Sequence, residues 1–343
     1  MTRTLLLEGT PAARGEAHGE QARDLIVDAA QRWRADVGAD YEAHLAALVD
    51  DSGFRATAAA RTPWLVEEVV GVARASGVDE RTVWALNLLD EDWWTRAARH
   101  GAEACSGFGV QPGPGQAALV GQNMDLPAWL DGLQTLLDIR PSDGPRVLAP
   151  SYAGMVATNA LNEHGIGVCV NTLDQLPTDA HGLPVAFVIR LIADQRAFGD
   201  ATDVVKSVPH ASGQNYIVGS PEGVVDLECG AGTIVDVTGA SPRLAHTNHP
   251  FGSVAVDGTS GGHVTNSEQR LDALRDRLDA SNGLLGVDDL TTILRDPPLC
   301  RGTNGDRGFT FYSVVMELSD DPVLHLTAGP PSLHDAVAYR FAS

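Results

Sequence analysis

Lysine is almost missing from this chain: Lys206 is the only one in 343 residues. Schiff-base chemistry and the phosphate-binding lysine of a P-loop are therefore close to excluded. Cysteine is scarce as well. Cys105, Cys169, Cys229 and Cys300 are widely spaced with no CxxC pair, which argues against a disulfide framework or a zinc site and for reduced thiols in a cytoplasm. Long apolar runs are lacking. The most apolar stretch, residues 183–193, is about half of the ~20 residues that a membrane span needs, and it carries Arg190. The apolar patch near the N-terminus stops at Glu8, too short for the h-region of a secretory signal. Positive charge is also in short supply. With 24 basic and 45 acidic residues the formal charge is −21. A field of that sign repels phosphate backbones, and there is no basic stripe, so no nucleic-acid partner is expected.

Several familiar motifs are absent too. There is no GxxxxGK[ST], no strand-linked GxGxxG, no HExxH and no GxSxG, so nucleotide folds, zincins and α/β-hydrolases have no support. His246 and His249 are three apart but lack a third ligand and are followed by Pro250, so neither metal nor cofactor is expected. What is present is an ordinary globular composition, 43% apolar and 20% charged, sufficient for a sizeable core.

Before Gly101 the chain reads as helical. Ala22, Leu25, Ile26, Ala29, Ala30 and Trp33 fall on one helical face, a second helix is expected from about Pro63 to Ala75, and a third after the N-cap Asp79. His18 and His44 lie in polar surroundings and read as solvated surface, as does the acidic cluster Asp90-Glu91-Asp92. After Gly101, short apolar runs punctuated by Gly, Pro and Asn take over. Strands are expected at 117–122, 152–158, 166–171, 214–219, 224–229, 233–237, 311–317 and 323–327. Helices are expected at 183–195 (Pro184 in the first turn), after a capping-box pattern of Thr265 and Glu268, and at 288–295, the last stopped by Pro297-Pro298. Residues 302–308 read as a flexible loop, a candidate lid. Many antiparallel strands with helices grouped between them indicate an α+β layered core.

The sharpest feature is the junction of the two halves, where Cys105 opens a strand-like segment, Cys105-Ser106-Gly107-Phe108. Asn123 and Asp125 follow in Gly121-Gln122-Asn123-Met124-Asp125. On spacing alone, the favoured reading of Cys105 is a small buried thiol, as for most free cysteines, and a catalytic role is the lesser one. These segments resemble the autoproteolytic acyltransferases and amidohydrolases of the penicillin acyltransferase type, which are N-terminal-nucleophile (Ntn) hydrolases. The resemblance also rests on Gly15-Glu16-Ala17-His18-Gly19, Gly165-Ile166-Gly167-Val168 with Asn171, and Gln214-Asn215-Tyr216. Leu227-Glu228, His246-Thr247-Asn248-His249, Ser267 with Arg270, and Gly329-Pro330-Pro331 complete it. Met124 departs from the aromatic often found in the middle of GQN-x-D.

The resemblance implies an α+β, αββα four-layer sandwich with antiparallel sheets and a helical N-terminal segment. It further implies a precursor that cuts itself between Ala104 and Cys105. Residues 1–104 would form the small fragment and 105–343 the Ntn core, the two remaining associated. Cys105 would be the nucleophile, Asp125 would hold the new amine and the thiol in register, and Asn248 would be the oxyanion donor. Asn123 and Asn171 are expected to support the site, and Phe108, Trp129 and Phe187 are candidates for an apolar pocket wall, with core packing the favoured role for Phe187. No role carries over to Arg301 or Arg307, and Cys169, Cys229 and Cys300 are expected to be structural. The residue chemistry agrees: a freed α-amine, with a pKa of about 7.7–8.0, is a base suited to neutral pH. The implied partner is a small N-acylated substrate, with acyl-CoA an alternative donor and a homo-oligomer an option. Two other readings stay open. One is an intact-chain thiol hydrolase using His246 or His249 as base with Asn248 as orienter; the other is a catalytically dead relative that binds an acylated ligand.

Overall fold

A computed structural model describes residues 2–96, 105–254, 261–281, 283–302 and 308–341, the backbone alone for 261–265. His100, Ala104 and Arg307, the Thr265 side chain and residues 303–307 of the expected lid lie outside the described residues. In chain order the first half comprises β1 (Arg3–Gly9), α1 (Pro11–Gln21), α2 (Arg23–Val37), α3 (Tyr41–Leu45), α4 (Phe54–Arg61), α5 (Pro63–Ser76), α6 (Glu80–Leu86) and α7 (Leu89–Thr95). There follow β2 (Ser106–Val110), β3 (Ala118–Leu126), β4 (Gln134–Pro141), β5 (Val147–Tyr152), β6 (Ala160–Asn162), β7 (Gly167–Thr172), α8 (Val185–Ala193) and α9 (Phe198–Ser207). The chain closes with β8 (Gln214–Ser220), β9 (Gly223–Gly230), β10 (Thr233–Asp236), β11 (Arg243–His246), α10 (Gly261–Ala280), α11 (Val287–Arg295), β12 (Phe309–Leu318), β13 (Val323–Ala328) and β14 (Val337–Arg340).

The strands form two sheets. The first runs β1-β4-β5-β6-β7-β8-β9-β10 and the second β11-β2-β3-β12-β13-β14. All neighbours are antiparallel except β1 and β4. Strands β2 and β3 pack face to face on β7, β8 and β9, with α8 and α9 outside the first sheet and α10 and α11 outside the second. That is the αββα sandwich. Most of β3, β5, β7 and β8 is buried on both faces, so these strands read as near-continuous apolar runs broken by a few satisfied polar residues. The smaller of the two apolar clusters, built on Phe108, Leu271, Leu274, Leu290 and Leu294, fills the space between the second sheet and its helices.

The first half is not purely helical. Its opening residues form β1, an edge strand whose Leu5 and Leu7 point inward. Helix α1 then lies tightly on α5. A Cβ at Gly15 would come within 2.2 Å of the Glu68 carbonyl oxygen, and one at Gly19 within 2.6 Å of that of Val72, so glycine is required for that approach. The contact encloses Glu68, which accepts hydrogen bonds from Arg14 Nε (2.7 Å) and from Arg190 Nη1 and Nη2 (2.9 and 3.1 Å). Burial raises the Glu68 pKa, but the two guanidiniums outweigh it and hold the carboxyl below its usual range.

Three expectations about polar residues are overturned here. His18 is buried, not solvated: its Nε2 accepts the Gly154 N–H at 3.1 Å, and burial lowers its pKa to about 4. His44 sits beside the Trp33 ring and hydrogen-bonds Asp92. The Asp90–Asp92 cluster turns inward. Asp92 is buried and takes hydrogen bonds from Trp33 Nε1 (3.2 Å) and Arg96 Nη2 (2.7 Å), Glu91 is buried against Ser212, and Asp90 is half-buried. In each case a partner distant in sequence meets the buried group, although Glu91 Oε2 takes no hydrogen bond among the described residues and burial raises the Glu91 pKa to about 8. The expected strand at 152–158 is also revised. β5 ends at Tyr152, and the chain turns at Gly154, whose φ of +95° favours glycine.

Candidate active site

Cys105 stands immediately before β2, opposite the position of Met124 given by the Ser106–Asn123 pairing. Its Sγ lies 3.5 Å from Met124 Sδ and 3.9 Å from the Asp125 carbonyl oxygen. The thiol is buried, and burial followed by the charge of Asp125 pushes its pKa far above the ordinary thiol value. A thiol in this state is a poor nucleophile until a base reaches it.

Asp125 lies one residue along β3 from Met124, on the opposite face of that strand. It is fully buried. Oδ1 accepts the Thr310 hydroxyl at 2.7 Å, and Arg301 Nη1 lies 3.8 Å from Oδ2, which takes no hydrogen bond among the described residues. Burial raises the carboxyl pKa to about 7, against the pull of Arg301, the Thr310 hydrogen bond and Arg270. Thr310 is set there by a shift in the β3–β12 register between Thr310 and Tyr312, the kind of irregularity that re-aims a side chain beside a site.

Arg270, on α10, ties the site together. It is buried and donates from Nη1 to the Cys105 carbonyl and to Ser106 Oγ (3.0 Å), from Nη2 to Asn248 Oδ1 (3.0 Å), and from Nε to Asn266 Oδ1 (2.9 Å). One guanidinium thus spans the residue before β2 and the loop after β11. Because Oδ1 of Asn248 faces Arg270, its amide nitrogen faces Thr172, donating to that carbonyl at 3.0 Å. The second amide hydrogen is left for another acceptor. The Asn248 loop is pinned by Glu228, whose carboxylate accepts from His246 Nε2 (3.1 Å) and from the N–H groups of Phe251 (2.7 Å), Gly252 (3.2 Å) and Ser253 (2.6 Å). Burial opposes ionisation of Glu228, but these donors bring its pKa down to about 2.

The remaining expected residues fall elsewhere. Asn123 donates to the carbonyls of Leu294 (2.8 Å) and Leu299 (3.0 Å), fastening the end of α11. Asn171 belongs to a buried chain between the sheets, accepting from Gln122 (3.0 Å) and donating to Asn215 (2.8 Å). Phe108 is in the smaller core cluster on the far side of the second sheet, Trp129 packs edge-on against Tyr152, and Phe187 stacks on Trp84; none of the three lines the cavity at Cys105. His246 is buried with both ring nitrogens engaged, by Glu228 and by the Thr247 carbonyl, and His249 hydrogen-bonds Ser267. Neither borders the cavity. Among the described residues no group of His, Cys, Asp and Glu side chains could hold a metal ion, and no described helix is long and apolar enough to cross a membrane.

That cavity is narrow, about 20 Å³, room for about one water. Cys105, Met124 and Asp125 form one side. Leu126, Met155, Val170, Val185 and Ile189 give it an apolar wall, and Asp90 and Trp93 reach it from α7. Arg270, Thr310 and Asp90 were not assigned chemistry from sequence. Ser267 with Arg270 was part of the resemblance, but no local pattern marks that arginine among the others of its helix.

Residues 113–298 match the family model of acyl-coenzyme A:6-aminopenicillanic acid acyl-transferase. The chain belongs to that family. The matched span contains Asp125, Asn248 and Arg270 and begins beyond Cys105. Membership makes the protein an enzyme of the hydrolase or acyltransferase kind acting on amide bonds, with small acylated substrates. No curated protein matches it in sequence. Among solved structures it is similar to a conjugated bile acid hydrolase from Clostridium perfringens, at 12% identity and a TM-score of 0.44, over 69% of this chain and 97% of that one. It is also similar to a penicillin V acylase from Agrobacterium tumefaciens, at 12% identity and a TM-score of 0.43, over 65% and 82% of the two chains.

Proposed function

We propose that this enzyme cuts itself between Ala104 and Cys105 and then uses Cys105 as an N-terminal nucleophile on a small N-acylated amide. The observation that supports the reading is a buried Cys105 thiol, 3.9 Å from the Asp125 carbonyl oxygen, next to a buried Asp125 carboxyl whose Oδ2 takes no hydrogen bond among the described residues, both residues lining one cavity. In the precursor, Asp125 with its raised pKa is a competent base for the thiol proton. The sulfur attacks the Ala104 carbonyl, the Ala104–Cys105 C–N bond breaks, and a thioester forms with release of the Cys105 amine. Water opens that thioester and returns the thiol. The freed amine then provides the base that the buried thiol needs, and Asp125 Oδ2 provides its acceptor.

In the mature enzyme the same sulfur attacks the substrate carbonyl. Asn248, held by Arg270 and Thr172, presents its remaining amide hydrogen to the tetrahedral oxygen, an interaction whose loss typically costs about 10²–10³ in kcat. The amine leaves, and water or a second amine takes the acyl group from the thioester. Residues 1–104 and 105–343 form the two fragments. They stay together because β1 pairs with β4, Glu68 of α5 binds Arg190 of α8, and α7 lines the cavity. The four cysteines are free and buried, which suits a reducing cytoplasm.

Trapping tests this directly. Acid-quenched enzyme incubated with an N-acyl anilide should carry the acyl mass on the peptide that begins at Cys105. Hydroxylamine should remove that mass. An acyl adduct on any other residue, or turnover that survives Cys105→Ala, would overturn the assignment.

A further inference from the structure

Both ring nitrogens of His246 meet oxygens that can only accept. The residue ends β11 and is fully buried. Nδ1 lies 2.9 Å from the Thr247 carbonyl oxygen, and Nε2 lies 3.1 Å from Glu228 Oε1. A carbonyl has no proton to give. Glu228 has none either, because the N–H groups of Phe251, Gly252 and Ser253 converge on its carboxylate and, against burial, keep it ionised. A neutral imidazole carries one N–H and one lone pair, so it would set a lone pair against one of these oxygens. The imidazolium alone satisfies both. The surrounding charges favour that form. Asp226, two residues from Glu228 and so on the same face of β9, adds a second buried carboxyl, and Asp236 of β10 adds to the negative charge there. From α10, Arg275 lies over the Phe251 ring (5.2 Å) that in turn stacks on His246 (4.6 Å), while Arg270 and Glu268 reach the loop at Asn248 and His249. Strand β2, which pairs with β11 through Gly107, brings no titratable side chain. Burial would lower the His246 pKa, but Asp226 and the bonds to Glu228 and Thr247 overcome it and raise it.

The bond from Nδ1 reaches the site through a single peptide plane. The Thr247 carbonyl and the Asn248 N–H belong to the same planar unit. His246 holds its oxygen, and Ser267 Oγ accepts from its nitrogen at 2.8 Å. The plane that leads into Asn248 is therefore fixed at both ends. The Glu228 carboxylate also ties His246 to residues 251–253, on the other side of Asn248 in the chain. We propose that His246 is a positioning residue that works as an imidazolium: its two N–H bonds set the aim of the Asn248 amide, and loss of its proton at alkaline pH disarms the oxyanion contact. This rests on the reading of Asn248 as oxyanion donor, and it adds a pH limit to that site. His246 does not line the cavity and acts only through Asn248. Because the folded pKa is the raised one, the hold is complete below the ordinary histidine value of 6.5 and is lost as pH rises through the folded value.

The test is a pH titration of wild type labelled with nitrogen-15 in histidine and asparagine, followed by NMR, beside kcat for an N-acyl anilide. The His246 ring is identified by its contact with the Phe251 ring. At pH 7, where an ordinary imidazole is mostly neutral, His246 should carry protons on both nitrogens. As pH rises it should lose one, and the Asn248 side-chain amide signal and kcat should change over the same range. A neutral His246 at pH 7, or an Asn248 signal that ignores the His246 titration, would overturn the proposal. His246→Gln keeps N–H donors but not the charge. Its kcat should be about 10- to 10²-fold lower with KM within about twofold, and the fall that tracks His246 should vanish. A kcat like that of wild type, or the same alkaline fall, would overturn the proposal. If that variant does not fold, or if no anilide is turned over, the wild-type spectra decide alone. Failure of the underlying readings shows separately: unaltered kcat in Asn248→Ala removes the oxyanion donor, and turnover by Cys105→Ala removes the nucleophile, whatever the state of His246.

Discussion

Replacing Glu228 by Gln tests how the Asn248 loop is held. The carboxylate is fully buried and accepts from His246 and three successive backbone N–H groups. Its pKa stands at about 2 against an ordinary 4.5. That difference, at 1.36 kcal/mol per unit, corresponds to about 3 kcal/mol of stability. Because the folded pKa is the lower one, the contribution is fully present above pH 4.5 and is lost as pH falls from there towards 2. Gln at this position keeps one acceptor but turns an NH2 group towards donors. The assay is urea unfolding of the Cys105→Ala chain with and without Glu228→Gln, so that a single polypeptide unfolds in each case. The variant should be less stable by about 3 kcal/mol at pH 7, and the gap should narrow progressively below pH 4.5. A gap under about 1 kcal/mol at pH 7, the worth of an ordinary neutral hydrogen bond, would refute the reasoning. So would a gap that persists unchanged in acid.

Three further outcomes are expected. Self-cleavage of newly refolded precursor, followed on denaturing gels, should accelerate about tenfold per pH unit up to about pH 7 and level off above it, as the Asp125 carboxyl ionises; a flat profile from pH 5 to 8 would remove Asp125 as the base. Arg270→Lys keeps a charge but not the fork that reaches Cys105, Ser106 and Asn248, so kcat should fall by about 10²-fold or more with a smaller change in KM, and a purely structural role would instead show as lost stability with kcat intact. Glu68→Gln leaves Arg14 and Arg190 facing each other without their shared anion and should cost about 3–5 kcal/mol of stability, read by the same unfolding assay.

The layered fold was legible where periodicity was clean. The apolar run at 183–193 is α8, the stripe of Leu271, Leu274 and Leu278 lies on α10, and the alternating segments at 224–229 and 323–327 are β9 and β13. It was obscured where charge interrupts a strand. β4 carries Asp138 and Arg140, which pair with each other along one face, and the Leu run of β1 hides its alternation. Polar residues read by type as exposed misled most. Whether His18, Glu91 or Asp92 can be buried depends on Gly154, Ser212 and Trp33, partners brought close only by the fold. The site shows the same division. The junction at Cys105, the GQN-x-D segment and HTNH stand out in sequence, whereas Arg270 acquires meaning only from the start of β2 and the loop after β11 that the fold places around it.

The account turns on whether the peptide bond before Cys105 is broken in working enzyme. Intact-mass analysis of purified, active wild type should find two polypeptides of 104 and 239 residues, the larger beginning Cys-Ser-Gly-Phe, and Cys105→Ala should give one chain of 343. Full activity from a single uncut chain would contradict it.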